Sequence, residues 1–385
     1  MTPAGPPLGV YVHWPYCARI CPYCDFNVFK AKGRDEEAAR LAAAIVADLE
    51  AQAALTGPRD LVSVFFGGGT PSLMDPAWVG EIVATARRLW RPSPDVEVTL
   101  EANPTDAEAN RFAAFASAGV NRLSLGLQSL EDEALRFLGR NHDAAEARRA
   151  AGSAARAFPR VSIDLIYARP GQTTQAWAEE LRRAAALGAE HVSPYQLTIE
   201  AGTAFERAVR RKTFAPPGEE LGADLYDTTQ AVLESEGFHA YEVSNHARGE
   251  AARSRHNLVY WRGLDYLGAG PGAHGRLTVG GERLATRAED RPGDYILKVA
   301  ETGLGLAAQE PLTPVEAAEE RLLGGLRIVE GVAFGELSAL GLSPEHPTVR
   351  RLTDLGLLAG DADRLRATPE GRRVLDAVTA ELALA

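Results

Sequence analysis

All three cysteines of the chain, Cys17, Cys21 and Cys24, stand within eight residues in the spacing C-x3-C-x2-C. An odd count in so tight a cluster is not a disulfide framework. Thiolates are soft donors, and two chemistries suit them. One is a structural zinc site with His13 as fourth ligand, although such sites usually divide their ligands into two short pairs across a longer linker. The other is an iron–sulfur cluster wrapped by a short loop, which the missing linker favours. Three thiolates on three irons of a [4Fe–4S] cluster leave the fourth iron open to an added ligand.

Other polar residues fall in a pattern. Gly67-Gly68-Gly69-Thr70-Pro71 follows an apolar run, so backbone can approach a ligand closely there. No lysine follows, which excludes a Walker loop. Glu101 emerges from another apolar run, where a lone carboxylate wants a hydroxyl partner such as a ribose diol. Gln128 ends a third run, and Arg140, twelve residues on, has the fork that grips a carboxylate. Ser124, Gly126, Ser129, Asp164, Ser193, Tyr195 and Gln196 occupy comparable places.

The elements that must position these residues alternate. Apolar runs at Gly9–Trp14, Leu61–Phe66, Val96–Leu100, Arg122–Leu127, Val161–Ile166 and His191–Thr198 read as strands. Between them Asp35–Leu55, Ala77–Leu89, Asp106–Ala118, Asp143–Ala157 and Thr174–Leu187 carry apolar residues at helical spacing. Asp75-Pro76, Thr105 with Glu108, and Thr174 read as helix starts. Six strand–helix alternations predict an α/β fold with a parallel sheet, a partial (β/α)6 TIM-like barrel rather than a closed one. Ligands then bind at the carboxyl ends of the strands, where the polar residues gather. Beyond Glu200, Gly218–Glu236 reads as a helix, Phe238–Val243 as a strand and Ser244–Gly275 as loop. The tail reads as an α-rich, winged-helix-like module. This gives three segments: 1–210, 211–305 and 306–385.

Composition narrows the function. A chain with 45% hydrophobic and 24% charged residues folds. Its formal charge of -11 offers phosphate backbones no general attraction, so nucleic acid is not an expected partner even for a winged helix. The start lacks the basic and apolar regions of a signal peptide, and no apolar stretch is long enough to span a bilayer. The expected location is cytoplasmic.

The cysteine loop, the Gly-Gly-Gly-Thr-Pro run and Glu101-Ala102-Asn103-Pro104 resemble the radical S-adenosylmethionine (SAM) superfamily, and within it the HemN/HemW branch. The resemblance covers nearly the whole chain. It implies that the cysteines hold a [4Fe–4S] cluster and that Tyr11, Tyr23, Gly68, Gly69, Thr70, Glu101, Gln128, Arg140 and Asp164 contact SAM. The branch's dehydrogenases, which decarboxylate coproporphyrinogen III, resemble C-x3-C-x2-C-x-C; here Phe26 stands where the fourth cysteine would be. The short N-terminal arm and His256-Asn257-Leu258-Val259-Tyr260 resemble instead the heme chaperones of the branch. That likeness implies heme as a further cofactor, His256 as axial ligand, and Asn257 and Tyr260 as its supports. His246 and His274 rank below it as second ligands. Implied partners are heme-accepting proteins, membrane respiratory enzymes among them, and a one-electron donor such as a flavodoxin or ferredoxin; a homodimer is the assembly to test. Ala168-Arg169 departs from the Gly-Leu of the family and is expected to bring Arg169 to the pocket rim. His142 is expected to cap a helix.

Overall fold

The computed structural model of the chain describes residues 5–384, so the outermost limits expected at 1 and 385 lie outside it. Strands β1 (Leu8–Trp14), β2 (Asp60–Gly68), β3 (Arg91–Ala102), β4 (Arg122–Gln128), β5 (Arg160–Tyr167) and β6 (His191–Gln196) pair in parallel, each with the next. Their side chains are buried almost without alternation, as in a parallel sheet covered on both faces. Helices α1 (Asp35–Thr56), α2 (Pro76–Leu89), α3 (Ala144–Ala157) and α4 (Thr174–Ala185) cover the outside.

The helices start where side chains can satisfy their first amides. Asp75 accepts from Ala77, and Asp143 forms a capping box with Glu146. The last cap is Thr173, one residue before the expected Thr174. The helix expected over Asp106–Ala118 is interrupted, as Asp106–Ala109 and Phe112–Ser117. At the break Arg111 reaches the carbonyls of Ser72 and Met74, which holds it against the turn after β2.

Residues 211–311 extend this sheet at both ends. Helix α5 (Glu219–Ser235) leads to β7 (His239–Glu242) and β8 (Asn245–Ala247), which pair antiparallel beyond β6. The chain then crosses to the other edge. The stretch read as loop holds helix α6 (Arg255–Trp261) and β9 (Asp265–Ala269), and β9 pairs in parallel with β1 as a seventh parallel strand. Strands β10 (His274–Val279), β11 (Glu282–Ala288) and β12 (Leu306–Pro311) continue antiparallel, with helix α7 (Pro292–Thr302) between the last two. The 12-stranded order β12-β11-β10-β9-β1-β2-β3-β4-β5-β6-β8-β7 leaves the barrel open among the described residues.

The C-terminal module has its own core around Leu322, Leu326, Val332, Leu352 and Leu365. Helices α8 (Pro314–Arg327), α9 (Pro347–Asp354) and α10 (Leu375–Ala383) build it. A small ladder pairs Val332–Ala333 with Arg364–Leu365, and Leu358 bridges antiparallel to Ala367. Close packing ties α8 to α6: a Cβ on Gly324 would lie 3.1 Å from the Trp261 carbonyl, and Arg321 donates to that oxygen at 2.9 Å.

Candidate functional site

The cysteine loop hangs from the end of β1. Tyr16–Cys17 pairs with Phe29–Lys30, Phe29 N–H donates to Pro15 O, and Ala31 N–H donates to Cys17 O. A turn from Cys21 O to Cys24 N–H shapes the tip. Asn27 anchors the far side through its amide, donating to Pro271 O at 3.1 Å and Asp290 O at 2.7 Å. The glycine run binds the near side: Gly69 N–H meets Trp14 O at 2.7 Å and Thr70 N–H meets Tyr16 O at 2.9 Å. A Cβ on Gly69 would stand 2.8 Å from the Pro15 carbonyl carbon. These glycines therefore let the loop's own backbone approach, besides facing a ligand space.

All three thiols line one cavity of about 560 Å³, inside the range of roughly 300–1,000 Å³ usual for cofactor sites. Burial pushes Cys17 up to about 11 and raises Cys24 as well, while Thr70 and Arg140 favour the Cys17 thiolate. Among the described residues no three His, Cys, Asp or Glu side chains converge as ligands of a single ion. Three thiols lining one cavity with room for an added ligand fit a cluster with an open iron better than a closed zinc site. His13, the fourth ligand of the zinc alternative, is committed elsewhere: Nδ1 meets the Tyr11 hydroxyl at 3.0 Å and Nε2 meets Asn27 O at 2.9 Å.

The loop after β1 and each strand from β2 to β6 contribute to this cavity. Tyr23, Gly68, Gly69, Thr70, Glu101, Gln128, Arg140 and Asp164 all line it. So do Ser124, Ser193, Tyr195 and Gln196. Tyr11 is the exception; its hydroxyl turns to His13 and its ring stacks beside Phe65 in the barrel interior. Arg140 is already held by the protein. It donates to Cys21 Sγ at 3.3 Å, to Gly126 O at 3.1 Å and to Asn103 Oδ1, leaving Nε without a partner. Gln128 sits at φ 63°, a left-handed backbone that ends the strand and turns its amide to the cavity.

Glu101 and Asp164 set the electrostatics. Burial, then the Asp164 charge, pushes Glu101 up to about 8, so near neutrality it mostly holds a proton. Burial raises Asp164 too, against hydrogen bonds from Ser124 at 2.9 Å and Ser162 at 3.3 Å. The Ser162 hydroxyl continues to His191 Nδ1 at 2.7 Å, and His191 Nε2 to the Tyr241 hydroxyl at 2.8 Å. Tyr241 accepts from Ser254 N–H, and Ser254 is the N-cap of α6. A polar row thus links the cavity to the helix of the H-N-x-x-Y motif.

The motif residues separate. Asn257 faces the cavity, but His256 is only 1% exposed and both ring nitrogens are taken, by Ser63 Oγ at 2.8 Å and Tyr260 Oη at 2.7 Å. Its ring stacks on Phe65 with centroids 4.8 Å apart, and burial lowers it to about 3, so it stays neutral. In this conformation His256 braces α6 against β2, which does not match the open axial ligand expected of it. His246 is buried against Gln230 at the far edge, and His274 opens β10. Neither adjoins His256.

Two smaller expectations also change. Arg169 is buried rather than at the rim, ion-paired with Glu180 and bonded to Ser129. A buried carboxylate on α4 satisfies it there. His142 caps nothing; its Nε2 meets Leu127 O at 3.1 Å, and Asp143 is the cap. Sequence reasoning missed Arg122, a cavity residue only 2% exposed. Its signal was an arginine opening a largely apolar run.

Known proteins agree with this architecture. Residues 11–184 match the model of the radical SAM superfamily, and residues 312–374 match the HemN C-terminal domain. A Bos taurus relative named radical S-adenosyl methionine domain-containing protein 1, mitochondrial, is 41% identical, with 99% of this chain and 88% of that protein covered. The heme chaperone HemW of Mycobacterium tuberculosis is 37% identical, with 98% and 95% covered. The protein of that name from Escherichia coli is 34% identical, with 97% of each covered. The solved structure of coproporphyrinogen III oxidase (HemN) from Escherichia coli shares the fold at a TM-score of 0.81 and 22% identity, with 98% and 90% covered. A cysteine loop over a parallel sheet, a HemN-type C-terminal module and relatives of this identity along the whole chain place it in the HemN/HemW family of radical SAM proteins.

Proposed function

We propose that this protein is a heme chaperone that binds heme and passes it to acceptor proteins, with a [4Fe–4S] cluster on Cys17, Cys21 and Cys24 beside a SAM site. One observation carries the reading: the three thiols and eight of the nine residues expected at SAM share a single cavity, in a chain 37% identical to a protein named heme chaperone. When bound, such a cluster supplies single electrons and an open iron for the amino and carboxylate groups of SAM.

The chain's own residues then have definite work. Arg140 fixes the cysteine loop through Cys21 and keeps positive charge at the cluster edge. Protonated Glu101 donates to one ribose hydroxyl through its O–H and accepts from the other. Gly68 and Gly69 offer backbone groups at close range, and Asp164 with its serines receives the amine side. A cytoplasmic location and a one-electron donor belong to the same reading; among the described residues no helix is long and apolar enough to cross a membrane.

The rival is a coproporphyrinogen III dehydrogenase, and Phe26 in place of a fourth cysteine argues against it. The test is anaerobic reconstitution followed by iron and sulfide analysis, heme titration and a coproporphyrinogen assay. The expected result is about four irons and four sulfides per chain, saturable heme binding and no decarboxylation. Formation of protoporphyrinogen, or zinc without sulfide, would overturn the proposal.

A further inference from the structure

A SAM molecule held by the cysteine loop, Glu101 and Asp164 still lacks a partner for its base, and two side chains of the same cavity lack a partner in the protein. Arg122 opens β4 and lines the cavity. It is almost fully buried, yet its guanidinium makes no hydrogen bond or ion pair among the described residues, and Nε is buried without an acceptor. Asn257, in the first turn of α6, lines the cavity too, and its side-chain amide is equally free of protein partners. Common neighbours bring the two together. The His256 N–H donates to Glu97 Oε1 at 3.0 Å, and Glu97 and His256 both sense the Arg122 charge. Phe65 stacks on His256 and gives the cavity a flat apolar wall there.

Arg122 does not call for an anion. Glu97, Glu101 and Asp164 all lie close enough to feel its charge, so an added anion would meet three acidic side chains. What the guanidinium lacks is contact with an acceptor. A neutral acceptor answers that need, and the ring nitrogens of a base are neutral acceptors. The Asn257 amide sets a donor beside an acceptor, the pairing that matches N7 and the 6-amino group of adenine. Register supplies the spacing. Ser124 pairs with Glu101, and Arg122 stands two residues earlier on β4, about 7 Å deeper. A base attached to a ribose at Glu101 covers such a distance.

We propose that Arg122 and Asn257 recognise the adenine of SAM on the floor of the cysteine cavity, beside Phe65. Asn257 accepts from the 6-amino group and donates to N7, and Arg122 donates to N1. No covalent bond forms or breaks. The H-N-x-x-Y motif then serves the cavity: His256 braces α6, and Asn257 reads the ligand. The assignment rests on the SAM reading above and adds to it a selectivity for the base.

The test is anaerobic equilibrium dialysis of SAM and of S-inosyl-L-methionine with the full, cluster-loaded chain. The second compound carries a carbonyl in place of the 6-amino group and an N–H at N1, so it mismatches both side chains. The parent is expected to prefer SAM by about tenfold or more. Asn257→Leu and Arg122→Met should each lose most of that preference, while iron content and circular dichroism match the parent. A residue that only supports the fold would weaken both ligands alike and leave their ratio in place. Asn257 is half-buried, so its variant keeps the test decisive if Arg122→Met does not fold. Equal affinities in the parent, or an undiminished ratio in Asn257→Leu, would refute the base assignment. If the parent binds neither compound, the SAM site itself is wrong and this assignment goes with it.

Discussion

His256 shows how one residue can look functional in sequence and structural in space. Its two nitrogens bridge Ser63 and Tyr260 in a dry interior, so His256→Ala removes a ring from the core and orphans two hydroxyls. The expected cost is about 2–5 kcal/mol, read as a lower urea midpoint at unchanged m-value. Glu101 gives a second expectation at this scale. Its folded value of about 8 lies above the ordinary 4.5, so the folded chain keeps a proton that the unfolded chain has lost. Its contribution is whole below the ordinary value and drains as pH rises toward the folded one. Glu101→Gln has no such slope, and its thermal midpoint should gain on the parent steadily from about pH 5 to about pH 8; parallel curves would refute the assignment.

Among the elements, the glycine run and the cysteine loop act as one unit. Gly69→Ala would drive a Cβ to 2.8 Å from the Pro15 carbonyl carbon, at a cost of about 1–3 kcal/mol in overpacking. Iron uptake by Cys17, Cys21 and Cys24 should fall with it, measured as iron bound after anaerobic reconstitution. The strands that hold this unit were legible because parallel, doubly covered strands write themselves as apolar runs, as β1 and β4 do. The cavity was legible because each run ends in polar residues. Strand β9 and helix α6 were not legible. Each is short, and the glycines and histidines around them give no sustained period; pairing with β1, more than 250 residues earlier, and with β10 makes β9 a strand. Tyr11 and His256 lie off the cavity for a related reason: strand alternation and helix position decide whether a polar side chain meets the cavity or the core, and a motif alone does not contain that information.

For the molecule as a whole, Asp265 is a junction. Its carboxylate receives Arg59 from the start of β2, Arg283 from β11, and the backbone and hydroxyl of Thr278. Asp265→Ala would leave a guanidinium 4% exposed without a counter-charge, and breaking such a buried pair costs about 3–5 kcal/mol. The expected outcome is a lower unfolding midpoint for the whole chain; a midpoint within error of the parent's would show that water replaces the pair. Asn27 has a consequence of a different kind. Its amide closes the cysteine loop onto carbonyls 244 and 263 residues further along, and β1 gains its second neighbour only when Asp265–Ala269 exists. Ribosomal synthesis delivers the thiols first and their clasp last. A nascent chain therefore exposes three unhoused sulfurs through most of its translation, and any cluster they hold is expected to load after the ribosome has passed residue 290.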